Sequence, residues 1–252
     1  MQYKYEKEIQ DYSHLSSGRV FYSTPGHPAF PVRLASEIFR RCTASLEAIY
    51  DNSSPCTLYD PCCGTAYHLS VLGVLHGNRI REIIASDIDE KAVEFAQRNL
   101  GLLTLAGLDR RIDEISTMIQ QYNKDSHKEA LKSAHALKQK LTAFDREHPL
   151  FTKVFQSSAT DGQTMINNIA AHSVDIVFTD VPYGQHSLWH GPNAEKLSNP
   201  LWSMLDALTE ILSPSSIVAI ASDKKQKILH DSYQRLEKFH IGKRQVIILK
   251  HV

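Results

Sequence analysis

Three aspartates stand where short β-rich segments of the chain end: Asp60 closes CTLYD, Asp87 closes REIIASD and Asp180 closes DIVFTD. Parallel strands of an open α/β sheet present their carboxyl ends at one edge, and ligands bind in the crevice there. A carboxylate at that edge accepts hydrogen bonds from ammonium groups, hydroxyls or a base N–H. The spacing therefore predicts one polar site assembled from separate parts of the chain.

The segment DPCCGTAY (60–67) lies at a predicted strand-to-helix turn. Small residues such as Gly64 and Ala66 let backbone amides approach a ligand closely, and Asp60 is placed to accept from a ligand ammonium group. The segment lacks the first glycine of a GxGxxG motif because Cys62 occupies that position. This disfavours the close pyrophosphate approach of dinucleotide-binding proteins.

The segment ASDID predicts a nucleoside site. Asp87 ends the second strand at the distance from DPCCG where an acidic side chain typically receives two ribose hydroxyls, whereas Asp89 reads as the N-cap of the next helix. After the third strand, Ala159 leaves room for an adenine ring, and Thr160 or Asp161 can accept from its amino group. Asp161 is alternatively the N-cap of a helix in DGQTMINNIA.

The segment TDVPYG (179–184) combines a carboxylate with a flat ring. A planar nitrogen nucleophile needs an aromatic face to stack on and an acceptor in its plane for the N–H. Asp180 and Tyr183 supply these two groups, and Pro182 fixes the backbone between them. The alternative is a turn aspartate beside a structural tyrosine.

Longer strings extend these motifs: PGHPAFPVRLASEIF, LYDPCCGTAYHLSVLGVLH, IIASDID and TDVPYG. Together they resemble the avilamycin-resistance family of methyltransferases that act on a guanine of 23S rRNA, within the class I S-adenosylmethionine-dependent enzymes. The similarity runs from residue 18 to the C-terminal hairpin. Two positions depart from the usual motifs of base-nitrogen methyltransferases: Val181 replaces a proline and Ala66 replaces a glycine.

The resemblance implies S-adenosylmethionine as the cofactor, held by Asp60, Pro61, Cys62, Gly64, Tyr67, Asp87, Ile88, Ala159, Thr160 and Asp161. It also implies methyl transfer to a guanine nitrogen, with the ring N1 favoured over the exocyclic N2. Asp180 is then the residue that accepts or polarises the N–H proton. Tyr183 stacks on the base, and Pro182 with the carbonyl of Val181 sets its edge.

An RNA substrate requires local positive charge, because the chain has 28 Lys+Arg against 28 Asp+Glu. Lys224, Lys225 and Lys227 follow the fifth predicted strand and are candidate phosphate contacts. Arg33, with the neighbouring Arg40 and Arg41, forms a second candidate patch. Trp189, in the loop after the fourth motif, either holds a base extruded from the RNA or packs the loop.

The elements that must position these residues read as an α/β fold. Strands and helices alternate from Cys56 to Ser222, and the chain ends in two strands joined at Ile241-Gly242, an antiparallel hairpin. This layout predicts a Rossmann-like, seven-stranded methyltransferase sheet in residues 51–252. Residues 1–50 form an N-terminal extension whose Pro-rich part, STPGHPAFPVR, either covers a pocket or wraps the surface.

Residues 107–148 interrupt the alternation with an α-helical hairpin. Its seam is predicted from apolar residues at helical spacing: Ile112, Ile115, Ile119, Tyr122, Ala130, Ala134, Leu137, Leu141 and Phe144. A packed structural insert fits this pattern better than a direct reader of nucleic acid.

Other function classes fit the sequence less well. Its 42% hydrophobic residues exclude a disordered chain, and neither the four cysteines nor the histidines show metal-ligand spacing. A charged N-terminus and the lack of a long apolar run predict a cytoplasmic protein without a membrane span, expected to be a monomer. The alternatives are methylation of tRNA guanine, DNA adenine or protein glutamine, a nucleotide-dependent oxidoreductase, and a non-catalytic RNA-binding protein.

Overall fold

A seven-stranded sheet forms the centre of the computed structural model, which describes residues 3–25, 28–143, 150–181 and 199–252. The strands are β1 (Cys56–Asp60), β2 (Ile80–Asp87), β3 (Phe151–Gln156), β4 (Val174–Asp180), β5 (Leu212–Asp223), β6 (Tyr233–Ile241) and β7 (Arg244–His251). Their spatial order is β3-β2-β1-β4-β5-β7-β6. Strands β1 to β5 are parallel, and β7 pairs antiparallel with both β5 and β6. The predicted fold class, including the C-terminal hairpin, is confirmed.

Seven α-helices accompany the sheet within the described residues: α1 (Val32–Tyr50), α2 (Tyr67–His76), α3 (Glu90–Gly101), α4 (Leu105–Tyr122), α5 (Asp125–Ala143), α6 (Gly162–Asn168) and α7 (Pro200–Leu208). The last of these helices ends at Leu208, where the chain turns, and β5 begins four residues later at Leu212. No helix in the part of the chain that the structure describes is long and apolar enough to cross a membrane.

The central strands are buried on both faces, as expected for parallel strands covered by helices. All five residues of β1 are buried. Since side chains alternate along a strand, Leu58 joins the apolar cluster that contains Leu69 of α2, whereas Tyr59 joins the cluster that contains Leu205 of α7. The ends of these strands are therefore held rigidly between two packed layers.

The N-terminal extension packs into the first of these clusters. Leu15 and Phe21 are fully buried there together with residues of the sheet. The carboxylate of Glu37 in α1 accepts hydrogen bonds from the backbone N–H groups of residues 4, 5 and 6 at 2.7–2.9 Å. The segment is thus a structural part of the sheet's core, and the boundary at residue 50 stays a prediction.

Arg41 does not belong to an RNA-contacting patch. Its side chain is only 5% exposed and forms ion pairs with Glu37 and with Glu237 of β6. A buried guanidinium that is already paired with two carboxylates is not accessible to a phosphate, so this part of the second candidate patch is wrong.

Helices α4 and α5 form the predicted hairpin. Ile115, Ala134 and Leu137 are fully buried at the seam, and the guanidinium of Arg111 donates to the carbonyl of Val20, which ties the hairpin to the N-terminal extension. Tyr122 is 61% exposed, so its assignment to the seam is wrong, because the helix ends there at Asn123 in a left-handed conformation. Phe144 lies outside the described residues.

Leu137→Ala is expected to lower the free energy of unfolding by about 2–5 kcal/mol, because it leaves a cavity in the seam. The control Tyr122→Ala should change it by less than about 0.5 kcal/mol, since the ring is mostly in solvent. Urea denaturation measures both. Equal effects of the two substitutions would contradict the packing of the hairpin.

Candidate active site

The three aspartates of the sequence motifs end adjacent strands of the sheet. Asp60 pairs in register with Ala85 of β2, two residues before Asp87, and Asp180 pairs with Ala221 of β5. The chain leaves β1 towards β2 and β3 on one side, whereas β4 and β5 lie on the other, so β1 and β4 flank the topological switch point. Ligand crevices of open α/β sheets lie at this place.

The turn after β1 is tied directly to the end of β2. Oδ1 of Asp60 accepts from the backbone N–H of Cys62 at 2.9 Å. The backbone N–H of Cys63 donates to the carbonyl of Ser86. The N–H of Gly64 donates to Oδ2 of Asp87 at 2.7 Å. Gly64 has φ +53°, a conformation that glycine adopts without steric cost.

Asp87 keeps acceptor capacity for a ligand. Oδ2 receives Gly64 and Oδ1 receives the N–H of Asp89 at 3.0 Å, whereas an ionised carboxylate has about four acceptor sites. These two hydrogen bonds orient the carboxylate at the edge of the sheet. Asp89 is the N-cap of α3, as the sequence predicts.

Asp60 is fully buried, and its other carboxylate oxygen lies 3.2 Å from Nε2 of His68 in α2. Burial raises the pKa of Asp60 to about 8, and the negative charges of Asp87 and Asp180 act in the same direction. Burial lowers the pKa of His68 to about 4. Burial therefore favours the neutral form of both groups, and it disfavours an ion pair at this contact despite the short distance.

The pair of Asp60 and His68 moves a proton on folding. In the unfolded chain between pH 4 and 6.5, the imidazole carries the proton and the carboxyl is ionised. In the folded chain, burial favours the protonated carboxyl and the neutral imidazole. The proton count of the pair is then the same in both states, so its contribution to stability is independent of pH in this range.

The segment after β3 supplies the residues predicted to surround an adenine. Ala159 is buried. Asp161 caps α6, accepting from the N–H of Thr164 at 3.0 Å and from its hydroxyl at 2.6 Å, and these hydrogen bonds lower its pKa. The N-cap alternative is confirmed for Asp161. Thr160 lies beside it, with its hydroxyl 3.1 Å from that of Ser158.

Several predicted site residues have structural partners. The hydroxyl of Tyr67 donates to the carbonyl of Leu15 at 2.7 Å, so it attaches the N-terminal extension. Arg33 donates to the carbonyls of Glu6 and Lys7. The carbonyl of Ile88 accepts from the side-chain amide of Gln156. Their roles towards the cofactor or RNA stay predictions.

Asp180 has a partner that the sequence did not reveal. Nη2 of Arg244, the first residue of β7, lies 3.5 Å from Oδ2 of Asp180, and each side chain is about a quarter exposed. Phe30 of the N-terminal extension packs against the Arg244 guanidinium, and also against His68 and Phe178. Nothing in the local sequence marks Arg244, because its position follows from strand pairing.

Three predicted residues, Pro182, Tyr183 and Trp189, lie outside the described residues. Of the described ones, Pro61 is buried, Cys62 is partly exposed beside the turn, and Lys224, Lys225 and Lys227 are exposed after β5. Within the described ranges, no group of three His, Cys, Asp or Glu side chains is arranged to hold a metal ion.

The family model described as rRNA methyltransferase AviRa matches residues 1–244. The chain belongs to this family. It is also 36% identical over 248 residues to the 23S rRNA (guanine(2535)-N(1))-methyltransferase of Streptomyces viridochromogenes, covering 98% of this chain and 95% of that protein. Activity as an rRNA methyltransferase, expected from the sequence, is confirmed at the level of the AviRa family.

Solved structures agree with this membership. The rRNA methyltransferase AviRa from Streptomyces viridochromogenes superposes with a TM-score of 0.85 and 34% identity, covering 99% of this chain and 96% of that one. TrmN from Thermus thermophilus has a TM-score of 0.52 at 15% identity, covering 90% of this chain and 51% of that one, and shows the fold alone.

Asp60→Asn is expected to change the pH dependence of stability. In the unmodified protein the free energy of unfolding should fall between pH 6.5 and 8, by up to about 1.4 kcal/mol per pH unit, because only the folded state keeps the Asp60 proton. The variant should lose this slope. Between pH 4 and 6.5 its stability should rise with pH more steeply than that of the unmodified protein, since the opposing effect of His68 is no longer cancelled.

Urea unfolding at several pH values measures these slopes. The control Asp113→Asn, at an exposed position of α4, should keep the profile of the unmodified protein. A flat profile from pH 6.5 to 8 in the unmodified protein would contradict a protonated Asp60.

Proposed function

We propose that this protein is an S-adenosylmethionine-dependent methyltransferase that modifies the ring N1 of a guanine in 23S rRNA. Membership of the AviRa family and the guanine N1 activity of the Streptomyces viridochromogenes relative support this substrate. The observation that carries the proposal is the placement of Asp60, Asp87 and Asp180 at the carboxyl ends of adjacent strands beside the switch point.

The charge of this edge fits a cationic cofactor. The negative charges of Asp87 and Asp180 help to keep Asp60 protonated, so a positively charged ligand would relieve the repulsion among the three carboxyl groups. When bound, S-adenosylmethionine supplies an electrophilic methyl group on a positively charged sulfur, and it also carries an ammonium group.

The same edge offers groups for the nucleoside part of that cofactor. Asp87 retains acceptor sites for two ribose hydroxyls, and Ala159 provides a small, buried surface for an adenine ring. The further cofactor contacts that we propose are Pro61, Cys62, Gly64, Tyr67, Ile88, Thr160 and Asp161, of which Tyr67 takes part through its ring.

Asp180 is the proposed proton acceptor. Guanine N1 carries a proton and is a poor nucleophile until that proton is lost, and a carboxylate in the plane of the base removes it. Pro182 would set the edge of the base and Tyr183 would stack on it. Alignment of the nitrogen with the methyl group supplies most of the remaining rate enhancement.

We further propose that the RNA is held by Lys224, Lys225 and Lys227, with Arg33 and Trp189 as additional contacts. The three lysines are exposed in the loop that follows β5, whose last residues lie at the same edge as Asp180. We also propose that the protein is a monomer in the cytoplasm, and that the methylated rRNA confers resistance to avilamycin-type antibiotics.

Labelled cofactor, the purified protein and bacterial 23S rRNA or 50S subunits test the proposed reaction, with nucleoside mass spectrometry as the readout. The proposal predicts N1-methylguanosine. N2-methylguanosine would move the attack to the exocyclic amine, and methylation of tRNA, DNA adenine or protein glutamine alone would refute the substrate. Tight binding of NAD instead of S-adenosylmethionine would indicate an oxidoreductase.

Asp87→Ala should weaken S-adenosylmethionine binding by about 10-fold or more, because the ribose hydroxyls lose a charged acceptor worth about 1.5–3 kcal/mol. Asp180→Asn should instead reduce methyl transfer by about 100-fold or more with cofactor affinity nearly unchanged, because it removes the proton acceptor. Calorimetry and single-turnover assays separate the two effects, and Asp113→Asn serves as the control. A fully active Asp180→Asn variant would refute the catalytic assignment.

Replacing Lys224, Lys225 and Lys227 by alanine should weaken RNA binding and reduce the slope of log K against log salt by roughly 0.7–0.9 for each lost phosphate contact. Alanine at Lys124, Lys132 and Lys140, exposed residues of the helical insert, removes the same charge and should leave the slope unchanged. Filter binding at several salt concentrations measures both. Equal slopes for the two triple variants would contradict the proposed RNA surface.

A further inference from the structure

The C-terminal hairpin brings an arginine to the catalytic edge. Arg244 is the first residue of β7 and pairs in register with Asp223, the last residue of β5, and with Ile241 of β6. Since β7 runs antiparallel to β5, its amino end lies where the parallel strands have their carboxyl ends. Arg244 thereby meets Asp180, which is 64 residues earlier in the chain.

Packing holds the guanidinium in one place. Nη2 of Arg244 lies 3.5 Å from Oδ2 of Asp180, and Cζ lies 5.1 Å from the centre of the Phe30 ring. The Phe30 ring is itself fixed, with centroid distances of 5.5 Å to Phe178 and 5.7 Å to His68. Little rotamer freedom remains for Arg244 to lose when a substrate binds, so its N–H donors are preorganised.

A carboxylate beside a guanidinium complements one part of the guanine base. On its pairing edge, guanine presents the acceptor O6 next to the donor N1–H. Asp180 is an acceptor and Arg244 carries only donors, so the two match N1–H and O6 side by side. Adenine carries an amino group in place of O6, and this donor would face the donors of Arg244.

Attack by N1 on the methyl group also benefits from the guanidinium of Arg244. When N1 loses its proton, the negative charge spreads onto O6, and a guanidinium hydrogen-bonded there stabilises this charge as it develops. Attack by the exocyclic N2 leaves O6 without comparable charge. A cation at O6 therefore favours N1 over N2 as well as guanine over adenine.

We propose that Arg244 donates a hydrogen bond to O6 of the target guanine while Asp180 takes the N1 proton, and so selects both the base and the nitrogen. The inference rests on the proposed function. In the balanced step, the N1–H bond breaks and its proton passes to Asp180. The N1–C bond forms as the S–C bond of the cofactor breaks, sulfur keeps the electron pair, and O6 returns to a neutral carbonyl.

Arg244 also affects the ionisation of Asp180, which must be negative to accept the proton. Among the described residues, Asp60 on β1, Cys62 in the turn after β1 and Arg244 on β7 interact with Asp180, and Asp87 on β2 acts on the same Asp60. Arg244 is the cation among them. Removing it should move the low-pH fall of kcat to higher pH. Arg244→Lys should show much less of this shift, because lysine keeps the positive charge.

The test compares Arg244→Met, Arg244→Lys and the unmodified protein on a 23S rRNA fragment that carries guanine, 6-thioguanine or inosine at the target position. Arg244→Met should lower kcat on guanine by about 100-fold with cofactor affinity within threefold, as expected when one donor to a developing oxyanion is removed. Arg235→Met, at an exposed arginine of β6, is the matched control and should leave kcat unchanged.

The 6-thioguanine substrate isolates the contact with O6, because sulfur accepts hydrogen bonds more weakly than oxygen. The unmodified protein should prefer guanine over 6-thioguanine, and Arg244→Met should lose most of this preference, which a purely structural role of Arg244 would leave intact. Inosine, which keeps O6 and N1–H but lacks N2, should be methylated.

An unchanged preference for guanine over 6-thioguanine in Arg244→Met would overturn the role of Arg244. A lack of any N1-methylguanosine with the unmodified protein would instead refute the proposed function, so the two failures are distinguishable. If Arg244→Met does not fold, Arg244→Lys decides by the same ratio and by its pH profile.

Discussion

The mutual repulsion of three carboxyl groups at one edge of a parallel sheet is the constraint on which this site depends. Each of the three carboxyl groups is stabilised in a different way. Asp60 keeps its proton in a fully buried environment, Asp87 accepts two backbone N–H groups, and Asp180 lies beside the guanidinium of Arg244. These arrangements reduce the repulsion among the three carboxyl groups. The edge still favours a ligand that brings positive charge.

Elements outside the parallel core contribute to this balance. The N-terminal extension delivers Phe30, which packs on both His68 and Arg244, and the hairpin delivers Arg244 itself. The antiparallel end of the sheet, common to class I methyltransferases, thus has a chemical consequence in this AviRa-family member. It places a cation beside the residue that we assign to proton transfer. The helical insert is tied to the N-terminal extension, since Arg111 donates to the carbonyl of Val20.

Local patterns predicted much of the fold and the placement of the three aspartates at strand ends, whereas long-range pairing determined the rest. The strand ends at Asp60, Asp87 and Asp180 and the N-cap at Asp89 follow from short segments, so they were found. The burial of Arg41 depends on Glu237, which is 196 residues away, and no local pattern reports such a pairing. The same reason explains why Arg244 was missed, and why the proton on Asp60 emerged only from its burial.

Proton release on cofactor binding tests most directly the claim that a cationic ligand completes this acidic edge. Calorimetry of S-adenosylmethionine binding near pH 7, in buffers of different ionisation enthalpy, gives the number of protons exchanged. The unmodified protein should release up to one proton more than Asp60→Asn, because the positive charge of the ligand favours ionisation of Asp60. Equal proton exchange by the two proteins would contradict it.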